Sequence, residues 1–383
     1  DVLAQDYDVA LMNPPYGSKN RMPNSIKDYV DEFYQYSAEF YINFFEVCDE
    51  VTKSEGRIGM LVPRSFMYKR RFMDFREDFV GSKGSFDFLA EFGTGILDNA
   101  TVRTVGTVVR PSRKQPPSGS FIRLHDVSSE DKETEYLNTL ASVDQNIKRF
   151  FQVDISDFQK IPRTPICYSA PSKVRKLHQS DKKIDAERIG IDAGSVCFAL
   201  AGVVTGNNAR FRRKHWEAGS GAGTRPIATG GARAWVLPHV ENVVRWGENG
   251  KRARRSPSVF RAMNDDKYGL AGLTWTYIKE TGRRFGYFPS EGLFSHSGFI
   301  LIPRDDLSLW KLLAIVNSDL YHSLFLSITT DRHWNAGEVG SVPWLEELEE
   351  IEELEQIAKK QYQVMLKQRG SDPTSPYYRA PKL

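Results

Sequence analysis

The feature that most constrains the fold is a short apolar run ending in the tetrapeptide Asn13-Pro14-Pro15-Tyr16. The preceding run, Tyr7–Met12, is apolar apart from Asp8, as in a buried strand of a parallel sheet. Proline lacks the N–H group that a sheet ladder needs, so two successive prolines end the strand abruptly. In doubly wound α/β sheets, active sites lie at the carboxyl ends of strands. The tetrapeptide therefore predicts a functional loop at the end of a buried strand.

The sequence after this loop predicts a helix and a second strand. Asn24 and Ser25 suit a helix N-cap. Apolar residues then recur at steps of three or four and predict one long amphipathic helix, with Tyr29, Phe33, Tyr36, Phe40, Phe44, Val47 and Val51 on its buried face. Gly56 ends this pattern, and residues 57–62 form a second apolar run closed by Pro63. A strand, a helix and a strand in this order predict a parallel crossover.

The residue types of the tetrapeptide suit an exocyclic amino group. A residue before proline is held extended, so Asn13 presents its amide from the tip of the strand. The carbonyl oxygens of Asn13 and Pro14 have no competing N–H donor on the prolines. The Asn13 side-chain oxygen and the Pro14 carbonyl oxygen therefore form a pair of acceptors that matches the two N–H donors of an amino group. Tyr16 adds a flat face for stacking on a planar base.

The formal net charge of +3 conceals a strong partition along the chain. Residues 205–290 contain 16 Lys and Arg against 6 Asp and Glu, whereas residues 345–357 contain seven Glu and neither Lys nor Arg. The basic segment indicates a polyanion-binding module or an ordinary exposed basic face. Lys and Arg neutralise phosphates, and Arg and Asn can read base edges bidentately. The candidate DNA-binding residues are Thr205, Asn207, Asn208, Arg210, Arg212, Arg213, Lys214, Lys251, Arg252, Arg254, Arg255, Arg283 and Arg284.

Metal and membrane binding are not indicated. Cys48, Cys167 and Cys197 are far apart, and His215 and His239 lack ligand spacing, so we expect no metal site. No apolar stretch reaches the roughly 20 residues that span a bilayer. We expect a cytoplasmic protein without a membrane partner.

Four further segments, together with the tetrapeptide, resemble the Asn-Pro-Pro-Tyr adenine-N6 DNA methyltransferases of the large single-chain type. These include type IIG restriction-modification enzymes and BREX-type phage-exclusion methylases. Residues 56–66 are similar to the family's next strand and its proline-ended loop, and residues 97–104 to its late hairpin motif. Residues 202–211 resemble the opening of its target-recognition domain, and residues 312–318 a helix late in that domain.

The resemblance implies transfer of a methyl group from S-adenosylmethionine to adenine N6 in double-stranded DNA after base flipping. Asn13 and Pro14 would hold the amino group, Pro15 would complete the rigid loop, and Tyr16 would stack on the base. Leu97 stands where many relatives carry a second aromatic clamp, and Phe66 and Phe92 are the candidates to replace it.

The resemblance also implies that this chain lacks most of the cofactor site. The family binds S-adenosylmethionine with a glycine-rich loop and an acidic residue that precede the tetrapeptide, and only twelve residues precede Asn13 here. We therefore expect Asn13 to be this chain's contribution to that site, with the rest supplied by a missing N-terminal half or a complementing chain. Residues 92–95 (Phe-Gly-Thr-Gly) are predicted to form a turn and not the cofactor loop. The first strand is expected to leave an unpaired edge and an uncovered apolar face.

The implied fold class is α/β, with a partial Rossmann-like methyltransferase sheet followed by an α+β target-recognition domain and a C-terminal helix. The predicted boundaries are 1–135 for the C-terminal half of the catalytic domain and 136–184 for a helical connector, in which residues 137–153 are predicted to be helical. Residues 185–345 form the recognition domain, residues 346–369 an acidic helix and residues 370–383 a disordered tail.

Two alternatives remain open. The chain is a non-catalytic DNA-recognition fragment or subunit that needs a separate chain, or it is a methyltransferase acting on protein glutamine, a class that shares the tetrapeptide. The second class does not need a large basic module after the sheet.

Overall fold

The computed structural model describes residues 5–17, 19–81, 85–97, 102–111, 118–143, 148–218, 223–229, 236–238, 240–255, 260–278, 284–304, 306–329 and 333–378. The chain divides into two compact units, Asp1–Gln179 and Ser180–Leu383.

The first unit is built on a mixed sheet. Its strands are β1 Tyr7–Met12, β2 Thr52–Pro63, β3 Ser85–Gly93, β4 Thr104–Arg110, β5 Ser118–Arg123 and β6 Phe150–Asp154. They lie in the order β1-β2-β4-β3-β5-β6, with the β1–β2 and β3–β5 pairs parallel and the other neighbours antiparallel. The helices are α1 Asn24–Phe33, α2 Phe40–Glu50, α3 Met73–Gly81, α4 Lys132–Ala141, α5 Ser156–Gln159 and α6 Ser172–Leu177. The predicted α/β class and the parallel pairing of the first two strands are confirmed.

The single long helix predicted between the first two strands is wrong, because the structure has two helices there. α1 ends at Phe33 and α2 begins at Phe40. Glu46 stabilises the break, since its carboxylate accepts the backbone N–H groups of Gln35 (2.8 Å) and Tyr36 (3.0 Å). These N–H groups are then not available to the carbonyls one turn earlier, so the helix ends although the apolar periodicity continues.

One face of the first sheet is covered by α2, α3 and the turn that follows β2. Aromatic rings from these elements and from β3 form one cluster with centroid separations of 4.7–6.4 Å. Its members, each at most 1% exposed, are Phe45, Phe66, Phe75, Phe79 and Phe86. Burial of rings of this size makes this cluster a major source of the unit's stability.

The opposite face of the first sheet is open beside β1. A register shift between Phe86 and Phe88 turns Phe88 to this second face. Among the described residues β1 pairs only with β2, and its Val9 and Leu11 side chains are 55% and 79% exposed. The expected unpaired edge and uncovered apolar face are therefore present. Such an edge is able to accept a further strand.

The helix predicted over residues 137–153 is wrong in its second half. α4 covers only Lys132–Ala141, and Phe150–Asp154 forms β6. β6 pairs antiparallel with β5, which places Phe151 opposite Phe121. This ladder with a distant strand overrides a helical pattern that is read from local sequence alone.

The second unit contains two four-stranded sheets and a small parallel pair. Its strands are β7 Lys182–Lys183, β8 Gly194–Ser195, β9 Cys197–Leu200, β10 Arg212–Lys214, β11 Thr224–Ala228, β12 Asn242–Arg245, β13 Gly272–Thr276, β14 Gly286–Phe288, β15 Leu293–Phe294 and β16 Gly298–Pro303. The sheet orders are β10-β12-β11-β15 and β14-β13-β16-β9, and β7 pairs with β8.

Helices complete the second unit. They are α7 Ala186–Ile189, α8 Asn208–Phe211, α9 Gly247–Arg254, α10 Leu309–Val316, α11 Asp319–Ile328, α12 Ala336–Gly340 and α13 Glu353–Gly370. α13 is the acidic helix predicted for residues 346–369, although it begins later because Glu346–Leu348 forms a separate 3₁₀ turn. In the tail predicted to be disordered, Thr374 and Tyr377 make hydrogen bonds with His215 and Pro238, and residues 379–383 lie outside the described residues.

Candidate active site and nucleic-acid interface

The tetrapeptide lies at the carboxyl end of β1, as predicted. β1 ends at Met12, after which Asn13 is exposed, Pro14 is buried, Pro15 is exposed and Tyr16 is half-buried. The Tyr16 hydroxyl donates to the carbonyl oxygen of Leu61 on β2 (3.1 Å). The same hydroxyl lies 3.5 Å from Asn13 Oδ1. The loop is thus tied to the neighbouring parallel strand, while the Asn13 side chain remains accessible.

The surroundings of Tyr16 favour a stacking role. Its ring meets the ring of Tyr41 edge-on, with centroids 6.3 Å apart and planes at 76°. Partial burial raises the pKa of Tyr16, so its hydroxyl stays protonated at neutral pH and acts as a donor rather than a base. One end of the ring is therefore fixed by a hydrogen bond and one side by a buried aromatic. This leaves a defined, half-exposed face for a planar ligand.

An open groove, here called the sheet groove, begins at Asn13 and follows the uncovered face of the sheet. It has a cavity volume of about 440 Å³ and is mostly apolar. Gly59 and Gly106 lie on its floor and leave room there because they have no side chains. Tyr136 of α4 forms one wall. The remaining lining residues are Leu11, Met12, Asn13, Met60, Leu61, Phe88, Ala90, Phe92, Thr107 and Val108. The groove offers shape and apolar contact beside an exposed amide.

Phe66 does not lie where a second base clamp is needed. It is fully buried and packs against Phe45, Phe75 and Phe86 in the aromatic cluster. A ring enclosed by other rings cannot stack on a base without unpacking the core. Leu97 is half-buried, and residues 98–101 of the late hairpin motif lie outside the described residues.

The glycines of residues 92–95 bend the backbone at the end of β3. Gly93 and Gly95 have φ angles of 76° and 83°, a region that favours glycine. A Cβ on Gly93 would also lie 2.8 Å from the Cα of His125. These glycines serve a bend, as predicted, and the described residues that follow, 96 and 97, are not helical, unlike those after a nucleotide-binding loop.

Sequence reasoning missed a buried ion pair near the carboxyl ends of β2 and β3. Arg64 Nη1 lies 3.0 Å from Glu91 Oε1, and both side chains are buried. Tyr168 donates its hydroxyl to the other Glu91 oxygen, and Arg64 donates to the Tyr68 hydroxyl (3.2 Å). The available signal is Glu91 itself, a charged residue within the apolar run of β3.

The structure brings the first two basic clusters together. β10 contains Arg212, Arg213 and Lys214 and pairs with β12, and α9 begins two residues after β12 ends. Just before β10, Asn207, Asn208 and Arg210 are exposed, and Asn207 caps α8 through its side-chain oxygen. Thr205 is buried and donates to the Asn208 side chain. Thr205 and Asn207 therefore shape the loop on which the exposed Asn208 and Arg210 are presented.

Strand pairing separates the two central arginines. Arg212 lies opposite Val244, which is fully buried, so Arg212 is on the core-facing side of its sheet. It is half-buried, and this burial lowers its pKa. Arg213 lies opposite Val243 and shares the outer face with Arg245, two residues further along β12. Arg245 is exposed and was not among the predicted residues, although its alternation with Val244 could have identified it.

Several other predicted cations already have acidic partners. Lys214 pairs with Glu241, Lys251 with Glu248 (2.9 Å), and Arg254 with Asp265 (2.8 Å). Arg255 is exposed after α9, and Arg284, near His322, precedes β14 of the other sheet. Arg283 and the side chain of Arg252 lie outside the described residues.

In the part of the chain that the structure describes, no group of three or more His, Cys, Asp or Glu side chains is arranged to hold a metal ion. None of the helices described combines the length and apolar character that a bilayer crossing requires.

The chain resembles DNA methyltransferases of restriction-modification systems in sequence and in fold. Residues 2–94 match the model of the Eco57I restriction-modification methylase family. The chain is 26% identical over 367 residues to the adenine-specific methyltransferase PglX of Lacticaseibacillus casei (strain Zhang), covering 89% of this chain and 30% of that relative. It is 25% identical over 359 residues to the adenine-specific methyltransferase BrxX of Escherichia coli O9:H4 (strain HS), covering 89% and 28%. The chain therefore spans less than a third of the length of these two relatives.

Solved structures show the same fold at low sequence identity. The type IIL restriction-modification enzyme MmeI, solved in complex with DNA, aligns with a TM-score of 0.60 and 11% identity over 95% of this chain and 50% of that chain. A nuclease-deletion mutant of the type ISP enzyme LlaGI, solved with a DNA substrate mimic, aligns with a TM-score of 0.56 and 10% identity over 94% and 35%. The predicted resemblance to restriction-modification methyltransferases is confirmed.

Proposed function

We propose that this chain carries the catalytic loop and the target-recognition domain of an adenine-N6 DNA methyltransferase that acts on double-stranded DNA in a restriction-modification or phage-exclusion system. The observation that carries the proposal is the exposed Asn13 side chain in a rigid loop at the carboxyl end of β1, beside the half-exposed ring of Tyr16. We place the protein in the cytoplasm, with its DNA substrate.

The proposed chemistry assigns one role to each group of the loop. The Asn13 side-chain oxygen and the Pro14 carbonyl oxygen accept the two amino protons of an extruded adenine, which directs the nitrogen lone pair away from them. Tyr16 stacks on the base and holds its plane. S-adenosylmethionine supplies the electrophilic methyl group when bound. Asn13 also stabilises the positive charge that develops on the amino nitrogen, as a preorganised dipole does in other active sites.

The residues present account for only part of the cofactor site. Asn13 and the sheet groove are the features of this chain that would face S-adenosylmethionine. We propose that the remaining contacts come from a donor-binding half outside these 383 residues, either an N-terminal half or a complementing chain. The open edge of β1 and the exposed Val9 and Leu11 support this proposal, because a further strand and its helices would cover them.

Titration with S-adenosylmethionine tests the division of the cofactor site. We expect isothermal calorimetry to show no micromolar binding to this chain alone, because one amide and an apolar groove do not supply the polar contacts that such a ligand needs. The longer protein, or the chain mixed with its donor-binding half, should bind. Micromolar binding by residues 1–383 alone would contradict the proposed division.

The outer face of the β10–β12 sheet is proposed as a phosphate-binding surface. Replacing Arg213 and Arg245 by Glu should weaken binding to duplex DNA. It should also reduce the magnitude of the negative slope of log binding constant against log salt concentration by about 2, since each phosphate contact contributes about 0.9. Fluorescence anisotropy over a salt series measures this slope. Lys359→Glu on α13 is the control, because this exposed lysine already pairs with Glu355. A slope that is equal in both proteins would remove Arg213 and Arg245 from the interface.

The same surface bears on the alternatives. Methylation of a protein glutamine does not require a pair of arginines that bind phosphate. Salt-dependent duplex binding through Arg213 and Arg245 would therefore favour DNA over protein as the substrate. A recognition subunit without catalytic function would show this binding, but its complex would not need Asn13 for methylation.

A further inference from the structure

We propose that Tyr41 and Ser65 form a positioning pair that holds Tyr16 in the orientation needed to stack on the target base. The inference rests on the proposed function and extends it to two residues that do not touch the substrate.

Two contacts hold the Tyr16 ring. Its hydroxyl is fixed to the Leu61 carbonyl oxygen (3.1 Å), but this bond alone leaves the ring free to turn about its long axis. The edge-on contact with Tyr41, at 6.3 Å and 76°, limits that rotation. The exposed face of Tyr16 is therefore set by the position of the Tyr41 ring.

The Tyr41 ring is held by packing and by a hydrogen bond of its hydroxyl. Tyr41 is fully buried and packs against Phe72, with ring centroids 5.7 Å apart. Its hydroxyl lies 3.1 Å from Ser65 Oγ, the partner that satisfies it in the core. Loss of the partner of a buried hydroxyl destabilises the folded protein. The bond to Ser65 therefore fixes the position of the Tyr41 ring along its long axis. Ser65 belongs to the 3₁₀ turn that directly follows β2.

A buried arginine holds the turn that contains Ser65. Arg76 of α3 is fully buried, and its guanidinium donates to the carbonyl oxygens of Phe66 (2.7 Å) and Lys69 (2.8 Å), which flank the end of the turn. It also donates to the carbonyls of Arg163 (2.6 Å) and Thr164 (2.8 Å). Arg163 and Thr164 have φ angles of 70° and 47°, a strained region for residues other than glycine. Arg76 thus clamps the turn to a backbone segment that the surrounding contacts hold in one conformation.

These residues form a continuous chain of contacts from the core to the catalytic loop. Arg76 fixes the turn, the turn places Ser65, Ser65 holds the Tyr41 hydroxyl, and Tyr41 limits the Tyr16 ring. A stacking surface that is oriented before the base arrives does not have to be ordered during binding. The pair Tyr41–Ser65 is the link in this chain of contacts that substitution can break without removing a ring.

The test compares Tyr41→Phe, Ser65→Ala and the double variant in the methylating protein. Methylation is measured on a duplex with adenine at the target position, and fluorescence on a parallel duplex with 2-aminopurine there, a base that has no 6-amino group to methylate. Tyr41→Phe and Ser65→Ala should each lower kcat by about fivefold with little change in KM for DNA, because one hydrogen bond that orients a catalytic group is lost. The double variant should lose no more than the single variants, since all three remove the same bond. The 2-aminopurine fluorescence should change with kcat, because it reports stacking of the extruded base.

Tyr36→Phe is the matched control. Tyr36 is another buried tyrosine near the same aromatic cluster, but its hydroxyl donates to Asp78 and not toward Tyr16. It should alter thermal stability and leave both kcat and the 2-aminopurine signal unchanged. A Tyr41→Phe protein that behaves like Tyr36→Phe, or a double variant whose losses add, would overturn the positioning pair. A wild-type protein that does not methylate adenine would instead contradict the proposed function.

Discussion

Replacing Asn13 by Ala should lower the rate of adenine methylation by about 10²- to 10³-fold, the loss observed when a preorganised polar group is removed from a reacting centre. The measurement is incorporation of labelled methyl groups into duplex DNA by the protein that contains this chain and its donor-binding half. Asn13 is exposed at the end of β1, so its truncation creates no core cavity. The thermal stability of the protein should therefore be unchanged, and binding of duplex DNA should be retained.

Asn138→Ala is the matched control for this experiment. Asn138 is an exposed asparagine on α4 in the same unit and does not line the sheet groove. It should methylate DNA at the wild-type rate. Methylation by the Asn13→Ala protein at a rate within a few fold of this control would show that the tetrapeptide does not hold the reacting amino group.

The position of the catalytic loop could be predicted because it depends on local backbone chemistry. Two prolines after an apolar run end a strand whatever packs around it, and the structure ends β1 at Met12. The parallel partner was also predictable, since an apolar run closed by Pro63 follows at the distance of a crossover. The structure confirms that β1 and β2 are parallel neighbours.

The errors arise where a distant residue competes with local periodicity. The apolar spacing from Tyr29 to Val51 is helical throughout, but the Glu46 carboxylate captures two backbone N–H groups and divides the helix. Residues 150–154 become a strand because β5 offers a ladder. Neither the carboxylate contact nor the ladder can be read from a window of sequence, because each requires the packed fold.

The site shows the same division between local and non-local information. Of the two candidates for a second clamp, Phe66 is part of the core, whereas Phe92 lines the sheet groove. In the basic segment, composition identifies the residues but not their faces. Arg212 and Arg213 are adjacent in sequence, and only strand pairing shows that Arg213 shares the outer face with Arg245.

The buried ion pair gives the largest expected effect on stability. Glu91→Gln should lower the free energy of unfolding by about 3 kcal/mol, because it leaves the Arg64 charge buried without its counter-charge. Glu91 and Arg64 are 1% and 6% exposed, and Tyr168 also donates to the Glu91 carboxylate. Urea denaturation monitored by circular dichroism measures the change. Asp8→Asn is the control, because its ion pair with Lys53 is exposed to water and should make no measurable contribution.

A second variant separates the cost of an unpaired charge from simple loss of packing. Replacing Glu91 by Leu together with Arg64 by Met removes both charges and fills a similar volume with apolar groups. This double variant should recover most of the lost stability, because apolar pairs often replace buried ion pairs without penalty. If it unfolds as easily as Glu91→Gln, the loss of the acceptor for the Tyr168 hydroxyl, which glutamine would keep, is as costly as the unpaired Arg64 charge. Since Arg64 directly follows β2, where Leu61 accepts the Tyr16 hydroxyl, a stable double variant with reduced kcat would show that the ion pair also orders the catalytic loop.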